Sequence, residues 1–388
     1  MPGNQRARLF AVMAVLIGTC GALGILALGE LAVRLGTDIV FLGNSANLFT
    51  QDRFATSRGN TPNVRGLAFH EPAYTDANGF RIPGPGYRYP SPESGRILIL
   101  GDSVAFGPGV PEEKTFVGEL RAWKPQWAVF NSSVMGYGLD DYLSVVRTLL
   151  PKERYDLVVL IVCLNDVSGV SGIILNDPAA AQPSANGSPM PRNPSIPQGA
   201  ANASQPPKNP AVAQSVSIVE KIRSIPLASA ANDWLREHSK LYLFLRGIVT
   251  DPSARYFLAD YPNYDETVDP KLRVLLAIVD EVRRAGIPIL IVVSPYEYQL
   301  RAPQNQTSGQ PGANVMLPQK KIKTFMADHG VTVSDAAEFF RSQGVGGSQS
   351  LFLPFDPMHF SAEGHTVMFR YLQRLFESGN LMGLAGRT

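Results

Sequence analysis

Four short blocks of the sequence carry side chains suited to acyl-transfer chemistry. They read GDSV at 101–104, NSSVMG at 131–136, LND at 164–166 and DPMH at 356–359. Acyl transfer through a covalent intermediate needs a serine, a histidine with an aspartate to orient it, and nearby hydrogen-bond donors. The four blocks supply all of these residue types, so the chain is predicted to be an enzyme of this kind.

The order and spacing of the blocks resemble the SGNH/GDSL hydrolase family over most of residues 95–378. The stretch GDSVAFGPGVPEEKTF and the closing DPMHFSAEGH, together with an apolar N-terminus, look more narrowly like the membrane-anchored bacterial branch of that family. The resemblance implies Ser103 as nucleophile, His359 as general base and Asp356 as the residue that fixes the histidine tautomer. These roles agree with the chemistry, because a serine hydroxyl is a poor nucleophile until a base takes its proton.

An oxyanion hole is also implied by the resemblance. Its donors would be the backbone N–H groups of Ser103 and Gly136 and the side-chain amide of Asn165, and one such donor contributes about 100- to 1000-fold in rate. Gly136 suits the role because a residue without Cβ lets its N–H approach a substrate closely. If Gly136 is only a turn residue, Gly138 is the alternative donor.

The same residues have structural interpretations. Ser103 is also a candidate helix N-cap, Asn165 a candidate Asx turn, and His359 a candidate surface histidine. We expect Asp102 and Asp166 to brace loops.

Three further positions are interpreted as packing residues. Cys163 stands where the family pattern has glycine, and we expect a buried side chain rather than a reactive thiol. Val104 stands where leucine is common, and it is a conservative apolar replacement. His365 is expected to cap or pack at the start of the last helix.

The elements that position these blocks alternate between strand-like and helix-like patterns. Short runs rich in Val, Ile and Leu, typical of strands buried on both faces, occur at 97–100, 128–130, 157–162, 287–293 and 331–333. Apolar residues at helical spacing lie between them. The alternation predicts an α/β fold, a three-layer α/β/α sandwich with a mostly five-stranded parallel sheet of flavodoxin-like type. Tyr296, Glu297 and Tyr298 follow the fourth strand at the end where ligands bind, so they are candidate substrate-pocket residues.

The N-terminus contains 20 consecutive uncharged residues, 9–28, enough to span a bilayer of roughly 30 Å. Arg6 and Arg8 precede the run, so the positive-inside rule places the tail, 1–8, in the cytoplasm and the rest outside. We therefore expect a single-pass inner-membrane protein with a periplasmic catalytic domain. A cleaved signal peptide is the alternative.

The remaining chain divides by composition. Residues 29–94 lack sustained periodicity and are interpreted as a membrane-proximal stalk that wraps onto the following domain, with a short edge strand at 78–81. Residues 95–378 form the hydrolase-like domain, and 379–388 a tail. Within the domain, the Pro-, Ala-, Asn- and Ser-rich insert 177–215 is predicted to be disordered and 218–250 to form a helical lid.

Composition excludes several other functions. The 388 residues carry 35 Lys and Arg against 33 Asp and Glu, a formal charge of +2 without long runs, so nucleic acid is not an expected partner. Only two cysteines occur, in apolar runs, which argues against a disulfide framework and structural zinc. No metal or cofactor is expected.

These observations predict a serine esterase outside the cytoplasm, acting on acyl esters, most plausibly acetyl esters, of envelope carbohydrate or lipid-like substrates. One alternative is an O-acetyltransferase that modifies a cell-envelope polysaccharide. A second is a non-catalytic glycan-binding scaffold with the same fold. The expected partners are the acyl ester substrate and, through the N-terminal helix, the membrane.

Overall fold

The computed structural model describes residues 3–56, 58–91, 95–168, 226–266, 268–301, 314–343 and 348–378. The strands are β1 (Phe49–Thr50), β2 (Gly59–Asn60), β3 (Arg65–Ala68), β4 (Glu71–Thr75), β5 (Arg81–Ile82), β6 (Arg96–Leu100), β7 (Ala128–Asn131), β8 (Leu157–Val162), β9 (Ile289–Val293) and β10 (Val333–Asp335). The helices are α1 (Gly3–Gly36), α2 (Ser103–Phe106), α3 (Phe116–Trp123), α4 (Leu139–Leu149), α5 (Leu164–Ser168), α6 (Pro226–His238), α7 (Lys240–Thr250), α8 (Pro252–Glu266), α9 (Val268–Arg284), α10 (Glu297–Arg301), α11 (Leu317–Asp328), α12 (Ala337–Ser342) and α13 (Ala362–Glu377). Short 3-10 helices lie at Ala46–Leu48, Glu112–Lys114 and Ser348–Leu351.

The core is a sheet in the order β10-β9-β8-β6-β7-β5-β4-β3, in which the first five strands of that order run parallel. All six residues of β8 are buried, as expected for a central strand covered on both faces. The prediction of a five-stranded parallel sheet is confirmed. Because β6 lies between β7 and β8, the loops that follow these three strands meet at one edge of the sheet.

Helices cover the sheet in two groups. In one group α4 contacts α9, which in turn contacts α5 and α11; in the other, α13 contacts α3 and α12. Right-handed crossovers between parallel strands place such groups on opposite faces. The α/β fold with three layers is therefore as the sequence predicts.

The segment 29–94 lies against the domain, as a stalk that wraps onto it would, but part of it also joins the central sheet. Its strands β3, β4 and β5 extend the sheet in antiparallel fashion, with β5 paired to Asn131 of β7. The predicted edge strand at 78–81 is displaced, since Gly79 lies in a turn with φ of 76° and the strand begins at Arg81. The sequences of these strands, RGLA, EPAYT and RI, contain no run of Val, Ile and Leu like those of the parallel strands, so the apolar pattern does not reveal them.

Helix α1 is longer than the apolar run, since it continues to Gly36. Its stretch Leu9–Gly36 has a mean hydropathy of 2.4, with none of the window buried, so length and composition allow it to cross a membrane once. A signal sequence has the same properties.

The predicted lid is described from residue 226 onward and consists of α6 and α7. The insert 177–215, the first part of the lid and the tail 379–388 lie outside the described residues.

Candidate active site

The first block places Ser103 at the start of a short helix. Asp102, and not Ser103, is the N-cap of α2, because its Oδ1 accepts the Val104 N–H at 2.8 Å. Ser103 is then the first helical residue, and its backbone N–H is one of those that a helix leaves without an intrahelical acceptor. The sequence block thus presents both a hydroxyl and a free N–H at one point.

Hydrogen bonds connect the three predicted triad residues without a break. His359 Nε2 lies 2.8 Å from Ser103 Oγ, and His359 Nδ1 lies 2.7 Å from Asp356 Oδ2. The second oxygen of Asp356 accepts the N–H groups of Met358 and His359 at 3.0 and 2.9 Å. With Asp356 ionised, Nδ1 carries the proton and Nε2 is free to accept the one from Ser103. Ser103 and His359 are each 2% exposed, so the chain of bonds is shielded from water.

The electrostatics of His359 favour its protonated form. Burial lowers the pKa of the imidazole, but the charge and hydrogen bond of Asp356, with a smaller contribution from Asp102, outweigh burial and raise the pKa above its ordinary value. A base with a raised pKa is a stronger proton acceptor once it is neutral. His359 is therefore suited to remove the Ser103 proton at neutral to alkaline pH.

Gly136, one of the predicted oxyanion donors, has a backbone conformation that suits the role. Gly136 has φ of 83°, a conformation that favours glycine, and it lies in the loop after β7. That loop is held against the segment 101–103, which carries Ser103, because the Val134 N–H donates to the Gly101 carbonyl at 3.3 Å. Gly138 is less suited, since its N–H already donates to Asp141 Oδ2 at 3.1 Å.

Asn165 lies beside the segment 101–103, which carries Ser103. Its Nδ2 donates to Asp102 Oδ2 at a long 3.4 Å, which leaves a second amide hydrogen for another acceptor. Its Oδ1 is buried and has no hydrogen-bond partner among the described residues. The second Nδ2 hydrogen is therefore available to donate to a developing negative charge.

The flanking acids brace these loops, as expected. Asp166 accepts the Cys163 N–H at 2.8 Å and the Tyr142 hydroxyl at 3.0 Å. Burial raises the pKa of Asp102 and of Asp166, and the charge of Asp102 raises that of Asp166 further. Burial also raises the pKa of the Cys163 thiol well above its usual value, which agrees with a packing role rather than a reactive thiolate.

His365 packs, as the sequence suggests. It lies in α13 between Phe116 and Phe360, with ring centroids 5.6 Å from each. Burial lowers its pKa to about 3, so it stays neutral and takes no part in acid–base chemistry at neutral pH.

Phe69 contacts His359, the candidate general base, and was not predicted from the sequence. Its ring meets His359 edge to face at a centroid distance of 5.0 Å. It lies in the two-residue turn between β3 and β4, where Phe69 and His70 have φ of 52° and 62°. Glycine or asparagine would signal such a turn, and neither is present, so the sequence gives no local indication of it.

Arg81 supports the other side of the nucleophile, and it too was missed. This fully buried side chain donates to the carbonyls of Phe106 and Gly107, and to that of Val110 at 2.8 Å. These carbonyls lie at the end of α2, which carries Ser103, and in the loop that follows it. The segment 29–94, which the sequence predicts to be a stalk, thus helps to hold α2.

The predicted pocket residues lie on the loop after β9 and are largely buried. Tyr296 is fully buried and packs on Tyr256 and Phe257 at centroid distances of 5.5 and 6.4 Å. Glu297 is 5% exposed, and its N–H donates to the Pro357 carbonyl at 2.9 Å. Tyr298 is partly buried against Phe257. The loop after β9 therefore holds the histidine loop in place.

Replacement of Asn165 tests the oxyanion site. We expect Asn165→Ala to lower kcat on a short-chain p-nitrophenyl ester by about 100- to 1000-fold with little change in KM, since the lost donor acts on the transition state. Thermal melting of the variant checks that the fold is kept. Wild-type kcat in a folded Asn165→Ala protein would assign this residue to loop structure alone.

The sequence matches no protein-family model and no curated protein. Among solved structures, the chain is similar to a member of the lipolytic protein G-D-S-L family from Veillonella parvula, with 12% identity, coverage of 73% of this chain and 98% of that chain, and a TM-score of 0.37. It is similar to an acetyl xylan esterase with 12% identity, coverage of 72% and 98%, and a TM-score of 0.38. It is also similar to a catalytic mutant of an acetylxylan esterase from Geobacillus stearothermophilus, with 14% identity, coverage of 74% and 95%, and a TM-score of 0.37.

Proposed function

We propose that the protein is a serine ester hydrolase that acts outside the cytoplasm, through an acyl-enzyme, on acyl esters of envelope carbohydrate or lipid-like substrates. The observation that carries the proposal is the unbroken hydrogen-bond chain from Ser103 through His359 to Asp356, at 2.8 and 2.7 Å. Structural interpretations of the individual residues do not account for this alignment of three side chains from two distant blocks. An acetyl group is the acyl group we favour.

The geometry supports a two-step reaction. Ser103 Oγ attacks the ester carbonyl carbon while His359 Nε2 takes the hydroxyl proton, and the N–H groups of Ser103 and Gly136 and the Asn165 amide hold the oxyanion. Collapse of this intermediate breaks the ester bond, and His359 returns the proton to the departing alcohol. Water then attacks the acyl-enzyme, again with His359 as base, and releases the carboxylic acid and free Ser103.

For the location, we propose an inner-membrane protein with one span, a cytoplasmic tail and a periplasmic catalytic domain. The apolar stretch of α1 and the preceding Arg6 and Arg8 support it. Protease added outside the inner membrane should digest the C-terminal domain of a membrane-bound chain. A soluble mature protein that starts after Leu28 would show instead that the segment is a cleaved signal peptide.

An O-acetyltransferase would use the same residues, so only the fate of the acyl-enzyme separates the two activities. A hydrolase admits water to the acyl-enzyme, whereas a transferase excludes water in favour of a bound sugar hydroxyl. We expect steady release of p-nitrophenol from p-nitrophenyl acetate in plain buffer. A single burst that stalls, with turnover restored by an oligosaccharide that becomes acetylated, would establish the transferase.

The second alternative, a glycan-binding scaffold without catalysis, predicts that Ser103 has no special reactivity. The aligned hydrogen bonds of His359 argue against it, because a scaffold has no need of them. Its test is whether a serine-reactive phosphonate labels Ser103.

A further inference from the structure

One face of α7 exposes large apolar side chains. Leu245, Ile248 and Val249 are 52%, 60% and 82% exposed, and with Leu241 they follow the spacing i, i+4, i+7 and i+8. Residues at this spacing share one face of a helix. We call these four residues the α7 stripe. A continuous row of exposed Leu, Ile and Val is unusual on a surface that meets only water.

The stripe begins on the membrane helix. Leu241 lies directly over Gly29, so closely that a Cβ at Gly29 would stand 3.1 Å from Leu241 Cδ2. Glu30, one residue further along α1, accepts the N–H groups of Lys240 and Leu241 at 3.0 and 2.9 Å and the Ser239 hydroxyl at 2.8 Å. A carboxylate at a helix N-terminus is favourable, because it meets unpaired N–H groups and the positive end of the helix dipole. Glu30 is the first charged residue after the apolar run, so α7 starts beside α1 at the level of that residue.

The other face of α7 rests on the loop that carries Asp356. A Cβ at Gly247 would overlap the Phe355 ring, and the Phe244 ring lies 6.1 Å from it, centroid to centroid. Phe355 directly precedes Asp356. Gly247 and Leu245 are two positions apart on the helix, which places them on different sides.

A second connection joins the end of α7 to the same loop. Arg301 pairs with Asp251, the C-cap of α7, at 2.5 Å and with Glu297 at 3.1 Å. The Glu297 N–H in turn donates to the Pro357 carbonyl. Both ends of α7 are thus fixed, one to α1 and one to the neighbourhood of the triad loop.

We propose that the α7 stripe lies on the surface of the lipid bilayer that holds α1. The proposal rests on the membrane anchoring proposed above, and it is supported by the continuity of the stripe with α1 at Gly29. An apolar helical face beside a membrane span gains free energy by entering the interface between headgroups and acyl chains. Because a helix with its side chains is about 10 Å across, the loop of Asp356 then lies close to the lipid surface. The site therefore serves esters that reside in, or are linked to, that membrane.

Fluorescence quenching tests where the stripe lies without recourse to catalysis. The full-length chain, with Cys20→Ser, receives an environment-sensitive fluorophore at Val249→Cys or, as control, at Ala285→Cys, in vesicles of phosphatidylethanolamine and phosphatidylglycerol. Ala285 is exposed and follows α9 before β9, at the end of the sheet opposite the triad. We expect nitroxide-bearing lipids to quench only the Val249 label and aqueous iodide to quench it about fivefold less than the Ala285 label.

Two other quenching results would each overturn the proposal. Equal iodide quenching of both labels would show that the stripe faces water. Shielding of the Val249 label from iodide and lipid nitroxide alike would show that protein covers the stripe, either a second copy or another segment of this chain. Neither quenching measurement depends on ester hydrolysis. The position of the stripe can therefore be determined even if the proposed esterase activity is wrong.

A kinetic comparison tests the consequence for the substrate. Ile248→Lys with Val249→Lys should lower the ratio of the hydrolysis rates for a vesicle-borne and a water-soluble ester by about tenfold, since charge opposes insertion of the face. Ala285→Lys is the control and should leave this ratio unchanged. An unaltered ratio in the double variant would refute a role of the stripe in presenting membrane esters.

Discussion

Ser103→Ala is expected to abolish ester hydrolysis, with kcat lower by a factor of about 10⁶ while the fold is retained. The expected loss is large because no other group in the described structure is aligned with His359 Nε2, which lies 2.8 Å from Ser103 Oγ. His359→Ala should cost about as much, and the double variant little more, because the members of a triad act as one unit. The measurement is hydrolysis of a short-chain p-nitrophenyl ester, with thermal melting to check the fold.

Ser294→Ala is a matched control for this experiment. Ser294 is also fully buried and follows a parallel strand, but its hydroxyl has only a weak contact with the Pro295 carbonyl at 3.5 Å. We expect near wild-type activity from it. A serine-reactive phosphonate should label the wild-type protein at Ser103, as mass spectrometry of the peptide would show. Labelling elsewhere, or full activity in Ser103→Ala, would refute the mechanism, and absence of label would favour the non-catalytic scaffold.

The parallel strands were predictable because burial on both faces leaves continuous apolar runs. The prediction for β8, 157–162, matches Leu157–Val162, and the start of β6 and end of β7 differ by one residue. The strands β3 to β5 were not predictable, since they are not continuous apolar runs and the turn between β3 and β4 uses Phe69 and His70 in a conformation that sequence patterns associate with glycine. Their place in the sheet is set by tertiary pairing rather than by local propensity.

For the site, the sequence identifies the candidate reacting groups through their order along the chain but not the groups that hold them. Ser103, His359 and Asp356 were predictable because their order along the chain resembles a family pattern. Phe69, Arg81 and Glu30 were not, because residues of these types are common in turns, strands and helices whatever their role. Their importance comes from contacts across large sequence distances, such as Glu30 with the N–H of Leu241, 211 residues away.

Asp356→Asn is expected to lower kcat by about 10⁴-fold, since an amide in place of the carboxylate no longer fixes the His359 tautomer that accepts the Ser103 proton. The substitution should also move the pH profile. In the wild type the carboxylates raise the pKa of His359 above its ordinary value of about 6.5, so the neutral, active base accumulates only as the pH rises past that value. Activity should therefore fall as the pH decreases through a midpoint above about 6.5.

Without the Asp356 charge, burial becomes the dominant influence on His359 and lowers its pKa, with Asp102 the remaining carboxylate that opposes it. The residual activity of Asp356→Asn should then persist to lower pH than in the wild type, although its maximum is far smaller. The logarithm of kcat/KM against pH measures this for both proteins, with Asp280→Asn, an exposed change on α9, as control. A variant whose midpoint stays at the wild-type pH would show that Asp356 does not set the pKa of the catalytic base. Since a purely structural aspartate would change the amount of folded enzyme but not this midpoint, the shift distinguishes an orienting carboxylate from one that only ties the loop through the N–H groups of Met358 and His359.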